Sequence, residues 1–133
     1  MKNYLVEIQV KGTLHICVDL KYSLGGYSGF SNEKIKRGYY LHVKPIEIEG
    51  NSITFGAFSG YKTLIQETTR KSFNGYIKAL TTLVNNHNYK NLIKKMITAV
   101  GLQEGLVEEN IEMVYNEAMK QLEAHLKKET EVL

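Results

Sequence analysis

The chain has a single cysteine, Cys17, so no intrachain disulfide can form, and this usage favours a reducing compartment. No apolar run reaches the roughly 18 residues a membrane span needs. The opening residues Met1-Lys2-Asn3-Tyr4-Leu5 lack the charged-then-apolar layout of a secretory signal, so the expected location is cytoplasmic. His15, His42, His87 and His125 show no metal-binding spacing, and Cys17 has no cysteine partner. Neither a metal site nor a cofactor is expected. Repeats, low-complexity tracts and linkers are also missing, and 133 residues with 43% apolar and 23% charged side chains read as one globular domain, 1–133.

Signatures of catalysis are equally scarce. The loop Gly25-Gly26-Tyr27-Ser28-Gly29 would let backbone amides approach a phosphate, but it lacks the Gly-Lys-Ser/Thr ending of a P-loop. Because Gly29 directly follows Ser28, it is not a Gly-x-Ser-x-Gly elbow either. Its ordinary reading is a surface connection. Cys17 or Ser28 with His15 or His42 would have to supply any nucleophile–base pair, and Cys17 sits in a strand pattern where a thiol is a packing residue. The expectation is a protein that is not an enzyme.

What is present is a change of period along the chain. Residues 3–10 alternate, with Tyr4, Val6, Ile8 and Val10 on one side, and residues 13–20 alternate again, with Leu14, Ile16, Val18 and Leu20 together. The turn signal Lys11-Gly12 between them makes a β-hairpin. Residues 21–38 lose the alternation. A third strand over 39–48 changes parity at Pro45, which predicts a bulge or an edge position there. Ile53, Phe55 and Ala57 begin a fourth strand, and 61–68 is favoured as a fifth over a helix. After Ser72, a candidate cap, the period becomes helical: Tyr76 to Val84, then Tyr89 to Val100 stopped by Gly101, then about 107–128. Strands over 1–71 and helices over 72–133 predict an α+β fold, an antiparallel sheet of four or five strands followed by two or three helices.

Charge divides the chain in the same way. Residues 1–101 carry fourteen Lys/Arg against six Asp/Glu, net +8, whereas 102–133 carry three against eight, net −5. Eleven of the thirteen aromatics lie in residues 1–76, so cations and rings share the β half. Arginine presents a fork matched to phosphate, and aromatic faces stack bases. The candidate ligand-binding residues are therefore Arg37, Lys44, Arg70 and Lys71 for phosphate and Tyr27, Phe30 and Tyr40 for stacking. Tyrosines are also good strand formers, and charges in the last helix also complement its dipole.

The blocks Arg37-Gly38-Tyr39-Tyr40, Ala57-Phe58-Ser59-Gly60 and Arg70-Lys71-Ser72 resemble those of small phage and prophage proteins. In function the chain is most similar to the Thoeris anti-defence family of nucleotide-sequestering phage proteins, over roughly residues 37–75 in motif and throughout in its strands-then-helices order. The resemblance implies a homo-oligomer in the host cytoplasm that traps a cyclic ADP-ribose-type or cyclic oligonucleotide signal without cleaving it. No site residue is carried over from it. The leading expectation is a sponge for an anionic nucleotide. The alternatives are a nucleic-acid-binding accessory protein and an inhibitor of a host protein.

Overall fold

Period-2 segments build the first layer of the fold. The computed structural model describes residues 4–27, 34–54 and 60–131. Strands β1 (Val6–Lys11) and β2 (Leu14–Ser23) form the hairpin read from the alternation, with Gly12 at φ 57° in its turn. β3 (Gly26–Tyr27) and β4 (Lys34–Ile35) make a separate two-stranded ribbon. β5 (Gly38–Glu49) pairs along ten residues with β2, then with β6 (Ser52–Thr54) at one end and β7 (Tyr61–Glu67) at the other. The result is a five-stranded antiparallel sheet in the order β1-β2-β5-β6, with β7 beside β6 on the same edge of β5.

Three helices follow: α1 (Phe73–Asn85), α2 (His87–Gln103) and α3 (Glu108–Glu131). They cover one face of the sheet, with α1 over β7, α2 over β5 and α3 against β1. Between the layers lies a core of fully buried side chains that includes Val6, Ile16, Val18, Leu41, Val43, Leu80, Leu83, Ile93, Ile97 and Leu122. The chain is therefore α+β, as its pattern predicts. No described helix is long and apolar enough to cross a membrane.

Four local expectations are corrected. The bulge expected at Pro45 is not there, because Ile16 opposes Pro45 and His15 opposes Ile46 in unbroken register. The change of parity is real: Ile46 turns to the second face of the sheet and is buried there. Pro45 falls between the stretch of β5 that pairs with β7 and the stretch that pairs with β6, where a residue without an N–H is tolerated. The irregularity sits instead between Tyr39 and Tyr40, opposite β7.

Gly101 does not stop the second helix. It lies inside α2, buried against Ile111, and the stop comes at Gly105, whose φ of 77° is left-handed. Leu106 N–H bonds Gly101 O at 2.8 Å and Gly105 N–H bonds Leu102 O at 3.1 Å, the paired closure of a Schellman motif. Residues 21–38 are less irregular than expected, since β2 runs to Ser23 and the ribbon takes up four more positions. Tyr4 leaves the alternation at a bend, and its ring lies over the ammonium of Lys44, 5.0 Å from the centroid. Phe55, Ala57 and Phe58 lie outside the described residues.

Candidate ligand cleft at one end of the sheet

The strand register gathers the aromatic rings. Tyr22 near the end of β2 opposes Tyr39 near the start of β5, and the two rings meet edge to face at 5.2 Å and 64°. Ser72 then starts α1 with an extended backbone, its hydroxyl accepting from Gly75 N–H at 3.0 Å. Phe73 and Tyr76, three positions apart in the first turns, share a helix face and bring two more rings. Tyr76 lies 6.3 Å from Tyr39, and Phe73 lies 6.4 Å from Tyr76. Tyr39, itself buried, locks this arrangement by donating to Ser72 O at 2.8 Å and accepting from Ser72 N–H at 3.1 Å.

β1 pairs with β2 only as far as Val18, and the bend at Leu5 leads the chain away toward the second face. A cleft of about 620 Å³ opens there, lined by the four rings with Leu5, Asp19, Leu20, Lys21, Lys71 and Ser72. This volume lies in the usual range for a small-molecule site. Phe73 is 47% exposed, so one ring stands at the rim. Burial pushes the Asp19 carboxyl above its ordinary pKa, against the opposing pull of the Leu20 N–H bond, Lys21, Lys44 and the Leu5 amide. Burial likewise raises the Tyr76 phenol, helped by Glu129 and Asp19.

A second cleft, about 720 Å³, lies across the β7–α1 connection and is lined by Leu24, Gly25, Gly26, Lys34, Ile35, Lys36, Arg37, Glu67 and Thr69. Gly25 has φ 80°, and a Cβ there would meet Ile35 O at 2.6 Å, so this turn needs glycine. Arg37 is exposed and donates from Nε to Leu24 O at 2.8 Å. Thr68 N–H bonds Arg37 O at 3.1 Å, so the connection runs between the clefts, with Thr69 lining one and Lys71 the other.

One end of the sheet thus gathers Lys21, Lys34, Lys36, Arg37, Arg70 and Lys71 against the acids Asp19 and Glu67. Of the residues expected to bind ligand, Lys71 lines the first cleft and Arg37 the second, and Arg70 is exposed between Thr69 and Lys71 on the connection that separates them. Tyr40 reaches the same end on the second face, where its hydroxyl donates to Lys36 O at 2.7 Å. Lys44 does not join them. It opposes Cys17 in mid-strand, roughly 20 Å along β5 from Gly38 at ~3.3 Å per residue. Tyr27 contributes a backbone pairing with Lys34, and Phe30 lies outside the described residues.

Sequence reasoning left Asp19, Lys21, Tyr22, Tyr39, Phe73 and Tyr76 out of the site. A usable signal existed for two of them, because Phe73 and Tyr76 stand one helical turn apart directly after Arg70-Lys71-Ser72. A further recess, about 750 Å³, follows the outer face of α3. Its lining of Glu108, Glu109, Glu112 and Glu117 opposes an anion. Cys17 is buried in β2, and among the described residues no three His, Cys, Asp or Glu side chains gather to hold a metal ion. No protein-family model matches the chain, and comparison with curated proteins and with solved structures likewise yields no significant match.

Proposed function

We propose that this protein binds and sequesters an anionic nucleotide-type ligand without transforming it. The observation that carries the reading is the union, on one cleft, of four aromatic rings with Lys21 and Lys71. Rings of this kind take up a base, at about 1–3 kcal/mol per stacked base, and the ammonium groups meet phosphate. Arg37 and Arg70 at the same end add to the attraction for a polyanion. Two short clefts, one lined in part by Asp19 and the other by Glu67, suit a small ligand better than a long nucleic acid, which would need a continuous basic track. The resemblance to phage anti-defence proteins supplies a setting, the trapping of a cyclic nucleotide immune signal by a homo-oligomer in the host cell. Trapping acts by mass action, and slow release prolongs it.

Isothermal titration against linear and cyclic nucleotides tests the reading, with native mass spectrometry reporting subunit number and any retained ligand. Saturable binding that weakens in Phe73→Ala and Lys71→Ala is expected. Nucleotides that all fail to bind would sink it. Binding only to long nucleic acid, with a steep dependence on salt, would favour the accessory-protein reading instead.

A further inference from the structure

The second cleft holds a guanidinium that the fold has already anchored. Gly25 permits this: a Cβ there would lie 3.1 Å from Arg37 Cγ as well as 2.6 Å from Ile35 O. The stem of Arg37 therefore lies against the turn, and its Nε–H is given to the Leu24 carbonyl at 2.8 Å. That anchor leaves the terminal Nη1 and Nη2 groups, which make no hydrogen bond or ion pair among the described residues. Lys34 and Lys36 line the same cleft, again with no ion pair among the described residues, and Thr69 adds a hydroxyl. Glu67 is the one acid on the lining. Leu24 and Ile35, 72% and 39% exposed, give it an apolar rim.

We infer that this cleft is a second anion site, separate from the ring-lined one, and that it takes the terminal phosphate of a phosphomonoester. A guanidinium held by packing and by one hydrogen bond loses little freedom when a ligand arrives. Its remaining N–H groups match the oxygens of a phosphate in a way that an ammonium cannot. Charge then sets the choice among anions. Three cations against one carboxylate leave the lining with an excess of two positive charges. A phosphomonoester carries about −1.5 to −2 at neutral pH and balances that excess, whereas a phosphodiester carries about −1. The lining has no aromatic side chain among the described residues, so the phosphate is recognised here and not a stacked base. The apolar rim suits the carbon skeleton of the ester. This site does not depend on the nucleotide reading, which concerns the rings on the other side of the connection.

Methyl phosphate and dimethyl phosphate test this, because they differ by one ionisable oxygen. Titration of the full chain at low ionic strength, followed by NMR of the amide and Arg37 Nε–H signals, reports both affinity and place. Methyl phosphate is expected to shift Gly25, Arg37 and Thr69 saturably and to bind roughly tenfold tighter than dimethyl phosphate. Its affinity should fall as the pH drops through about 6, where the monoester takes up a proton. Arg37→Lys keeps the charge but loses the fork and the Leu24 anchor, and should weaken methyl phosphate roughly tenfold. Glu67→Gln removes the opposing charge and should tighten it, whereas Lys44→Ala, a cation lost from mid-strand, should change little. Pelleting with phosphatidylcholine vesicles that carry phosphatidic acid, lost in Arg37→Lys, would assign the monoester to a lipid headgroup. Methyl phosphate binding without pelleting assigns it to a soluble molecule. The inference is overturned if the unaltered protein gives no saturable shift, binds the two esters equally, or shifts only at Lys71, Phe73 and Tyr76. None of these outcomes needs a variant to fold, and each leaves the nucleotide reading standing. Undiminished affinity in folded Arg37→Lys also overturns it. Conversely, nucleotides that fail to bind the ring-lined cleft leave this site untouched.

Discussion

The Tyr39 hydroxyl clasps the backbone of Ser72 from both sides, donating to its carbonyl at 2.8 Å and accepting from its amide at 3.1 Å. One phenol on β5 thereby fixes where α1 begins, and with it the positions of Phe73 and Tyr76 over the cleft. Tyr39→Phe keeps the ring and removes both bonds. It should cost about 1–2 kcal/mol in urea unfolding. It should also weaken ligand binding, because the wall formed by α1 is no longer held.

The cap on the same helix can be tested separately. Ser72→Ala removes the acceptor for Gly75 N–H and should destabilise the protein by about 1 kcal/mol, whereas Ser72→Asp restores the acceptor and should recover most of the loss. Denaturant midpoints with unchanged slopes would establish that the effect is on stability.

At Gly101 helix propensity and packing point in opposite directions. Alanine is favoured over glycine within a helix by about 1 kcal/mol. A Cβ on Gly101, however, would meet Ile111 Cγ1 at 2.7 Å and Cδ1 at 3.1 Å. Overpacking of this kind costs about 1–3 kcal/mol, so Gly101→Ala is expected to lower the melting temperature. A rise would show that α3 yields easily at this contact.

Asp19 makes stability depend on pH with a definite sign. Its folded pKa is raised, chiefly by burial, so the folded state holds the proton more tightly than the unfolded chain. The ionised carboxylate therefore costs stability, a cost absent below the ordinary value of 3.8 and fully present once the pH exceeds the raised folded value. Asp19→Asn should accordingly stabilise the ligand-free protein relative to the parent more at neutral pH than at pH 3. Melting curves at the two pH values decide it. An equal difference at both would mean that the carboxylate carries no burial cost.

Placement of the cations predicts unequal effects on binding. Lys71 lines the aromatic cleft and Arg37 the adjoining one, whereas Lys44 stands in mid-strand beneath Tyr4. Lys71→Ala should weaken a nucleotide by roughly tenfold, the scale of one charge-assisted hydrogen bond. Arg37→Ala should act more weakly, through the local field. Lys44→Ala should leave affinity nearly unchanged, so an effect as large as that of Lys71→Ala would move the site to the second face.

Much of the fold was open to reading in the residues themselves. Val6-x-Ile8-x-Val10 against Leu14-x-Ile16-x-Val18 can bury one face only as a hairpin, and the period changes at Ser72 because a cap and a helical stripe meet there. These are local signals, in which spacing along the chain equals spacing in space. The sequence also located the cations, and three of the four came to one end. What tertiary structure alone decided is the company they keep. Tyr22 and Tyr39 are neighbours because β5 returns antiparallel beside β2 after a connection whose length carries no register. Lys44 parts from Arg37 because a strand extends by about 3.3 Å per residue, so seven positions span most of the sheet. Gly101 looks like a helix stop until Ile111 packs against it. The cleft itself opens where β1 stops pairing at Val18 and uncovers the edge of β2 beside α1, and that juxtaposition has no signature in spacing.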